Sequence, residues 1–455
     1  MELKPKLDFQ LKRPLTLTFL LWLVIGFLVC QYIYSFAKLP FHSLFIDFGH
    51  FYYHTQVLEN FESKKNIATS EDIFYTLLGE AVNPPYKDET EYSRQAIPHA
   101  WGNVPHPPLF YILLRPLTRL KYIHAAVFWL IFNQILLVLG IIFCVATLKK
   151  KISLVELAAI VFITANFLPL RMNNILGQTS IIIFFLISLA FYSFIKKKNI
   201  VAGVALGLAV LLRWFPGLLI LYFILKRQYR VVLVSLLTIA LGFVVSIWRL
   251  GLPLHLIQLK YMPYIYFQYA VGAFNSQSLS GFFYRLLVRT VKINLPYLHN
   301  LGNINFIQTQ GIIDNPFLAN SIIFLFSFAF MFISLFICRK KTEKDTWRLG
   351  LELSLFVSLM PILSTCVTVP FMPVLLFVFI FIFLYLDQAD SKILEYLLFI
   401  AAYILIGLEY WLDGIRFFWH GLWVVFLSGK LYGAVLLWLL CLRLLITDKG
   451  GRYER

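Results

Sequence analysis

The chain has 455 residues, a mean hydropathy of +0.77, 60% hydrophobic side chains and only 14% charged ones, where a soluble domain carries about 25%. That excludes a water-soluble globular fold. The formal charge of +17 does not mark a nucleic-acid surface either, because Lys and Arg sit in short patches between apolar runs of about 18 to 25 residues, each long enough to cross a hydrocarbon core.

The first run, Leu15 to Phe36, follows the basic stretch "KPKLDFQLKRP". It is too long for a signal-peptide core and has no small-residue cleavage site, so it reads as a retained helix. Further basic patches lie at Lys149–Lys151, Lys196–Lys198, "KRQYR" (226–230), "CRKKTEK" (338–344) and the tail "DKGGRYER". All of them fall on the cytoplasmic side if the crossings between neighbouring patches are even in number. Residues 15–36 then cross outward and 123–147 return. Residues 152–170 and 179–195 form the next pair, 200–225 a hairpin, and 231–250 and 319–338 another pair. Segments near 349–365, 370–386, 393–411 and 422–446 complete about twelve crossings.

The expected architecture is an all-α polytopic membrane protein, one integral-membrane domain over residues 1–455. Its long first external loop, 37–108, carries interfacial helices, and acids outnumber bases there nine to five between Lys38 and Val104. The second external loop, 251–318, holds semi-apolar pieces such as "GFFYRLLVRT" that read as interfacial helices. "EYWLDGIRFFWHGLW" (409–423) reads as an aromatic interface belt. Glu156 and Glu352 fall near cytoplasmic helix ends, where interfacial placement is the default. Cys30, Cys144, Cys338, Cys366 and Cys441 lie scattered in apolar segments without metal-ligand spacing, as small core hydrophobes do.

The hairpin "VAGVALGLAVLLRWFPGLLILYFIL" has arms of only about 12 residues, short of the roughly 17 a full span needs. Its tip "RWFP" therefore sits within or just below the outer leaflet, with Pro216 breaking the helix. Arg213 becomes a cation at membrane depth. It either snorkels to the interface or, as we read it, faces an anionic lipid head group.

With this topology, polar groups from separate segments reach one face. Asp47, His50 and His54 open the first loop, and "HPPLFYILLRPL" (106–117), with His106 and Arg115, closes it. "NNILGQTS" (173–180) is a short external turn carrying Gln178, Arg213 sits at its hairpin tip, and "FNSQSLSGFFYR" (274–285) brings Asn275 and Gln277. Asp47, His50 and His54 fall at i, i+3 and i+7, one face of a helix. Asp47 suits a helix N-cap or a general base. His50 and His54 form a feasible metal pair, yet no HExxH motif or second carboxylate accompanies them, which leaves a contact with a polar ligand or an interfacial helix face as the other readings. His106 precedes two prolines and is extended or in a turn. Arg115 and Arg119, four apart, suit lipid phosphate or ordinary head-group contact. Gln178, Asn275 and Gln277 suit hydroxyl recognition, with helix capping or an interhelical contact as the alternative for Gln178.

In this order the Asp with its following aromatics, "HPPLFYILLRPL", "GQTS", "AGVALGLAVLLRWFPGLLILYFILKRQYR" and "NSQSLSG" resemble the bacterial α-mannosyltransferases of the GT-C superfamily that use polyprenyl-phosphate sugars. That family includes the mycobacterial phosphatidylinositol-mannoside mannosyltransferases. The resemblance spans residues 40 to 290. It implies a GT-C-like fold, a polyprenyl-phosphate mannose donor, a glycolipid or lipid-linked glycan acceptor, no cofactor, and a site facing the periplasm from the bacterial inner membrane. Asp47 is then the base of an inverting transfer. Arg213 and Arg115 hold the donor phosphate, and His50, His54, His106, Gln178, Asn275 and Gln277 contact sugar or acceptor. Two departures stand out. Relatives commonly carry Lys where this chain has Arg213, and "LSTCVTVPFMP" (363–373) lacks the Trp and His of the comparable stretch in many members. Relatives often have Tyr at His106, which implies a role in shape or stacking. The competing readings are a flippase or transporter of lipid-linked sugars, whose charges would line a path to the cytoplasm, and a surface-polysaccharide polymerase or ligase, whose main external loop usually comes late.

Overall fold

The computed structural model describes residues 15–43, 45–63, 106–148, 151–256, 259, 275–289, 309, 311–339, 345–388, 392–409 and 411–447. Most of both external loops and several basic patches, among them the N-terminus, 340–344 and the tail, lie outside the described residues. Every extended regular element among those described is helical, as hydrocarbon requires of a chain that must satisfy its backbone amides within each segment.

Helix α1 (Leu15–Ala37) leads to α2 (Ile46–Ser63). After the first loop come α3 (Pro108–Thr118), α4 (Tyr122–Ala146), α5 (Leu154–Ala165), α6 (Leu168–Leu176) and α7 (Ser180–Ile195). The hairpin is α8 (Asn199–Leu212) and α9 (Leu218–Leu225), followed by α10 (Tyr229–Leu250) and α11 (Leu279–Leu287). The last five are α12 (Pro316–Cys338), α13 (Thr346–Leu363), α14 (Leu375–Gln388), α15 (Ile393–Gly407) and α16 (Gly429–Thr447). Seven stretches among the described residues are long and apolar enough to cross a membrane, and α5 with α6 makes an eighth if that pair is one bent span. The apolar helices α7, α8, Phe215–Leu225 and α15 are shorter.

The short hairpin arms expected from sequence are present, and packing shows the chain doubling back. Gly203 of α8 lies against Val231 and Val234 of α10, Gly207 against Ser235 and Thr238, and Leu211 against Gly242. Residue numbers rise together along both helices, so α8 and α10 run parallel. The segment between them must return to the end where α8 began. The glycines make this close approach possible, since a Cβ on Gly207 would stand 2.8 Å from the Ser235 carbonyl oxygen and 2.6 Å from Thr238 Cβ.

Three expectations need correction. The 152–170 crossing is bent by 48° between α5 and α6, because Pro169 lies in the first turn of α6 and cannot extend the preceding helix. Asn173 to Leu176, expected in a turn, are therefore helical. Glu352 is not interfacial: it is fully buried on α13 beside Lys226 at 2.6 Å and Arg348 at 3.6 Å. Helix α11 does not float at the interface, since its Arg285 is buried and donates to the Ser276 carbonyl and to Ser428 Oγ. The core centres on α13 and α14, the helices most enclosed by others.

Candidate active site

The site begins where α2 starts. Phe45 precedes it with φ +42, a left-handed conformation unusual for a branched-free aromatic residue, and is buried. Its carbonyl accepts from the Tyr122 hydroxyl (3.2 Å) and its amide donates to Ser43 Oγ (3.3 Å). Ser43 Oγ donates in turn to the Ile175 carbonyl. This buried frame sets the first turn of α2, and Asp47 lies within that turn rather than at an N-cap. The exposed N–H groups of a helix start favour a carboxylate there.

Gly177 ends α6 in the left-handed region (φ +74), and its amide and that of Gln178 both donate to the Asn173 carbonyl, at 2.8 and 2.9 Å. The Gly177 carbonyl accepts from Trp129 Nε1 (2.8 Å). A Cβ on Gly177 would come within 2.6 Å of Phe48 Cβ, so glycine is needed both for the turn and for the approach of α2. That approach brings Gln178 to Asp47: Gln178 Nε2 donates to Asp47 Oδ2 at 2.6 Å.

Arg213 closes α8 with an extended backbone (φ −153, ψ 144), just ahead of Pro216. Its Nη2 donates to Gln178 Oε1 at 2.8 Å and lies 3.3 Å from His106 Nε2. Its Cζ lies 3.9 Å from the ring centroid of Phe371. The Val369–Val374 turn that carries Phe371 packs on α6 and α7. The His106 Nδ1 is 3.2 Å from the Leu212 carbonyl oxygen, which can only accept. Nδ1 therefore carries the proton, and Nε2 accepts from Arg213. Burial first, and the Arg213 charge second, hold the His106 imidazole well below its usual range, so it is neutral at neutral pH. Phe51 and Phe110 pack on its ring at 4.7 and 4.5 Å.

Beside Arg213 and His106 opens a cavity of about 610 Å³. Ser364 and Thr365 give it polar wall, while Trp214, Leu218, Leu221 and Leu363 make it mostly apolar. Asp47 and Gln178 are not among the cavity-lining residues; the carboxylate is joined to the lining residue Arg213 through the Gln178 amide.

The structure thus joins Asp47, Gln178, Arg213 and His106 into one hydrogen-bonded chain. His50 and His54 follow Asp47 along α2, buried, with ring centroids 6.1 Å apart. Burial pushes the His50 imidazole down to about 4. His54 Nδ1 lies 3.4 Å from the Tyr111 hydroxyl, which accepts from the His106 amide at 2.9 Å. The remaining expected residues stand apart from the cavity. Arg115 is half-buried on α3 and is not among the cavity-lining side chains. Asn275 is exposed. Gln277 is buried, and its side-chain amide donates to the Leu427 carbonyl (2.8 Å) and accepts from the Lys430 amide (3.2 Å), which ties the second loop to α16. Sequence reasoning passed over Tyr111 and Phe371 as site residues. Phe371 belongs to the 363–373 stretch, noted only as a departure from relatives, and its place on the wall was not readable from spacing. Among the described residues no three His, Cys, Asp or Glu side chains gather as a metal-holding group.

Residues 105–360 match the model of glycosyltransferase family 87, more than half of the chain. His106, Arg115, Gln178, Arg213, Asn275 and Gln277 fall within that stretch, and Asp47 lies before it. No curated protein and no solved structure matches the chain. The match sets aside the flippase reading. The chain belongs to glycosyltransferase family 87, a GT-C-type family, and is an integral-membrane glycosyltransferase.

Proposed function

We propose that the enzyme transfers a hexose, mannose by the resemblance above, from a polyprenyl phosphate to a hydroxyl of a glycolipid or lipid-linked glycan, with inversion. Asp47 is the general base and Arg213 holds the departing phosphate. The observation that carries this reading is the chain Asp47–Gln178–Arg213–His106, which puts a carboxylate and a guanidinium at opposite ends of one amide, beside a largely apolar cavity.

In the reaction the acceptor oxygen bonds to the anomeric carbon while its proton passes to the Asp47 carboxylate. Such base assistance contributes roughly 10²- to 10⁴-fold. The bond between the anomeric carbon and the phosphate oxygen breaks, and its electron pair leaves with the phosphate. The Arg213 guanidinium is fixed where that charge appears. Neutral His106 adds no second charge. It accepts from Arg213 and holds it by way of Leu212. Trp214, Leu218 and Leu221 offer isoprene units an apolar surface. The basic patches expected in the cytoplasm include the one at the foot of the hairpin whose tip carries Arg213, so the site faces the periplasmic side of a bacterial inner membrane in this reading.

The test is transfer from labelled polyprenyl-phosphate mannose to bacterial membrane lipids by the purified protein. Asp47→Asn is expected to lower the rate at least about a hundredfold at unchanged expression, and Arg213→Ala to weaken donor use. Full activity in Asp47→Asn, or no transfer from any polyprenyl-phosphate sugar, overturns the assignment.

A further inference from the structure

We propose that Gln178 is a positioning residue, an amide spacer that keeps the Asp47 carboxylate and the Arg213 guanidinium apart so that each stays available for its own half of the reaction. The proposal rests on the reading of Asp47 and Arg213 given above, and it replaces the sugar-contact role expected for Gln178 from sequence.

The amide can be placed in one way only. Its Nε2 end meets a carboxylate, which accepts, and its Oε1 end meets a guanidinium, which donates. Rotating it by half a turn would set oxygen against oxygen and N–H against N–H. Gln178 is buried, and its Oε1 also lies 3.4 Å from the Thr179 amide, so both of its acceptor positions face donors. An oxygen so engaged is poorly suited to a sugar hydroxyl. The backbone beneath is fixed as well, by the left-handed Gly177, the Asn173 carbonyl and Trp129.

A spacer matters because carboxylate and guanidinium attract strongly and fit each other in a two-pronged contact. In that contact the carboxylate loses basicity, and the guanidinium spends donors that a phosphate needs. One neutral amide between them bonds to both partners and prevents the collapse. Its polarity also supports both charges, with partial positive charge toward Asp47 and partial negative charge toward Arg213.

Among the described residues, the titratable or charged groups on elements around Asp47 include His50, His54 and Glu59 on its own helix, His106, Tyr111 and Arg115 from α3 and its lead-in, Tyr122 and His124 of α4, and Arg213. Arg171 of α6 pairs with Glu409, and Arg249 of α10 lies over Trp248.

Two experiments on the full-length protein test the proposal. The first needs no turnover. Thermal midpoints are measured for Asp47→Asn, Arg213→Gln and the double variant, once with Gln178 and once with Gln178→Met. With the spacer removed the two charges meet, so non-additivity is expected to grow by about 1–3 °C. Equal non-additivity in both backgrounds overturns the spacer whatever the enzyme transfers. The second uses the labelled polyprenyl-phosphate mannose assay. The acidic limb of kcat is expected to move to lower pH in Gln178→Met, where Arg213 meets the base directly, and to higher pH in Gln178→Glu, where a like charge does. A pure sugar contact would raise KM with both limbs unmoved, and a merely structural role would lower kcat in both variants without opposite shifts. Either of those results overturns the proposal. Loss of the Asp47→Asn effect with the thermal result intact would overturn the transfer reading and leave the spacer standing.

Discussion

The Arg213 guanidinium lies over the ring of Phe371, its central carbon 3.9 Å from the ring centroid. A cation on an aromatic face is worth about 0.5–2 kcal/mol, more as water is excluded. Phe371 thus helps to hold the charge that the donor phosphate is proposed to meet. Phe371→Leu is expected to raise the KM for polyprenyl-phosphate mannose about two- to thirtyfold, whereas Phe371→Trp keeps a face for the cation. Steady-state kinetics at varied donor concentration check both.

A second expectation concerns the hairpin. A methyl group on Gly207 would stand 2.8 Å from the Ser235 carbonyl oxygen, and backbone cannot step aside as a side chain can. Gly207→Ala is expected to destabilise by about 1–3 kcal/mol, the usual cost of overpacking. It should also weaken donor use, because α8 carries Arg213 at its end. Thermal unfolding in detergent together with donor KM reads both effects. An unchanged midpoint would show that α8 and α10 separate freely.

The buried histidines give the fold a pH dependence whose direction can be derived. Burial lowers His50 from 6.5 to about 4, and burial with Arg213 lowers His106 as well. Between those values the unfolded chain binds protons that the folded chain does not. Stability is therefore complete above pH 6.5 and drains as pH falls toward 4. For His50 alone the loss is ~3 kcal/mol. His50→Leu is expected to flatten the fall in thermal midpoint between about pH 6.5 and pH 4.5, measured on purified protein.

Lys226 and Glu352 form a buried pair at the foot of the hairpin, 2.6 Å apart, with the Tyr222 hydroxyl 3.3 Å from Glu352. Removing Lys226 takes the nearest counterion from Glu352, with Arg348 standing farther off at 3.6 Å, and removing Glu352 takes the nearest carboxylate from Lys226 in the core. Lys226→Met or Glu352→Gln alone is expected to cost about 3–5 kcal/mol, while the double Lys226→Met/Glu352→Met variant recovers much of that. Thermal midpoints of the three variants decide the matter.

Much of the architecture was legible before any coordinates. Basic patches and apolar run lengths place the helices and foretell the short hairpin, because partition into hydrocarbon is a property of composition. Asp47, His106, Gln178 and Arg213 could also be singled out, since polar groups are rare in such a chain. What spacing could not reveal was pairing. Gln178 reads as a hydroxyl binder until Asp47 and Arg213 are seen on its two ends, and Gln277 looks the same in sequence but is consumed by backbone groups around Leu427 and Lys430. Glu352 passes for an interfacial acid until Lys226, 126 positions away in the chain, is found beside it. Phe371 is one aromatic among 45 phenylalanines and carries no local mark.

The 14 residues of α8 measure about 21 Å at 1.5 Å per residue, against a hydrocarbon slab of about 30 Å. The Arg213 end of that helix is enclosed by protein, with Ala209 to Leu212 buried, while Ile200, Val201 and Val204 face outward at the opposite end. The helix therefore stops short of a full span inside the protein, and in the proposed reaction a lipid-borne phosphate would be drawn inward from the head-group plane to reach the guanidinium.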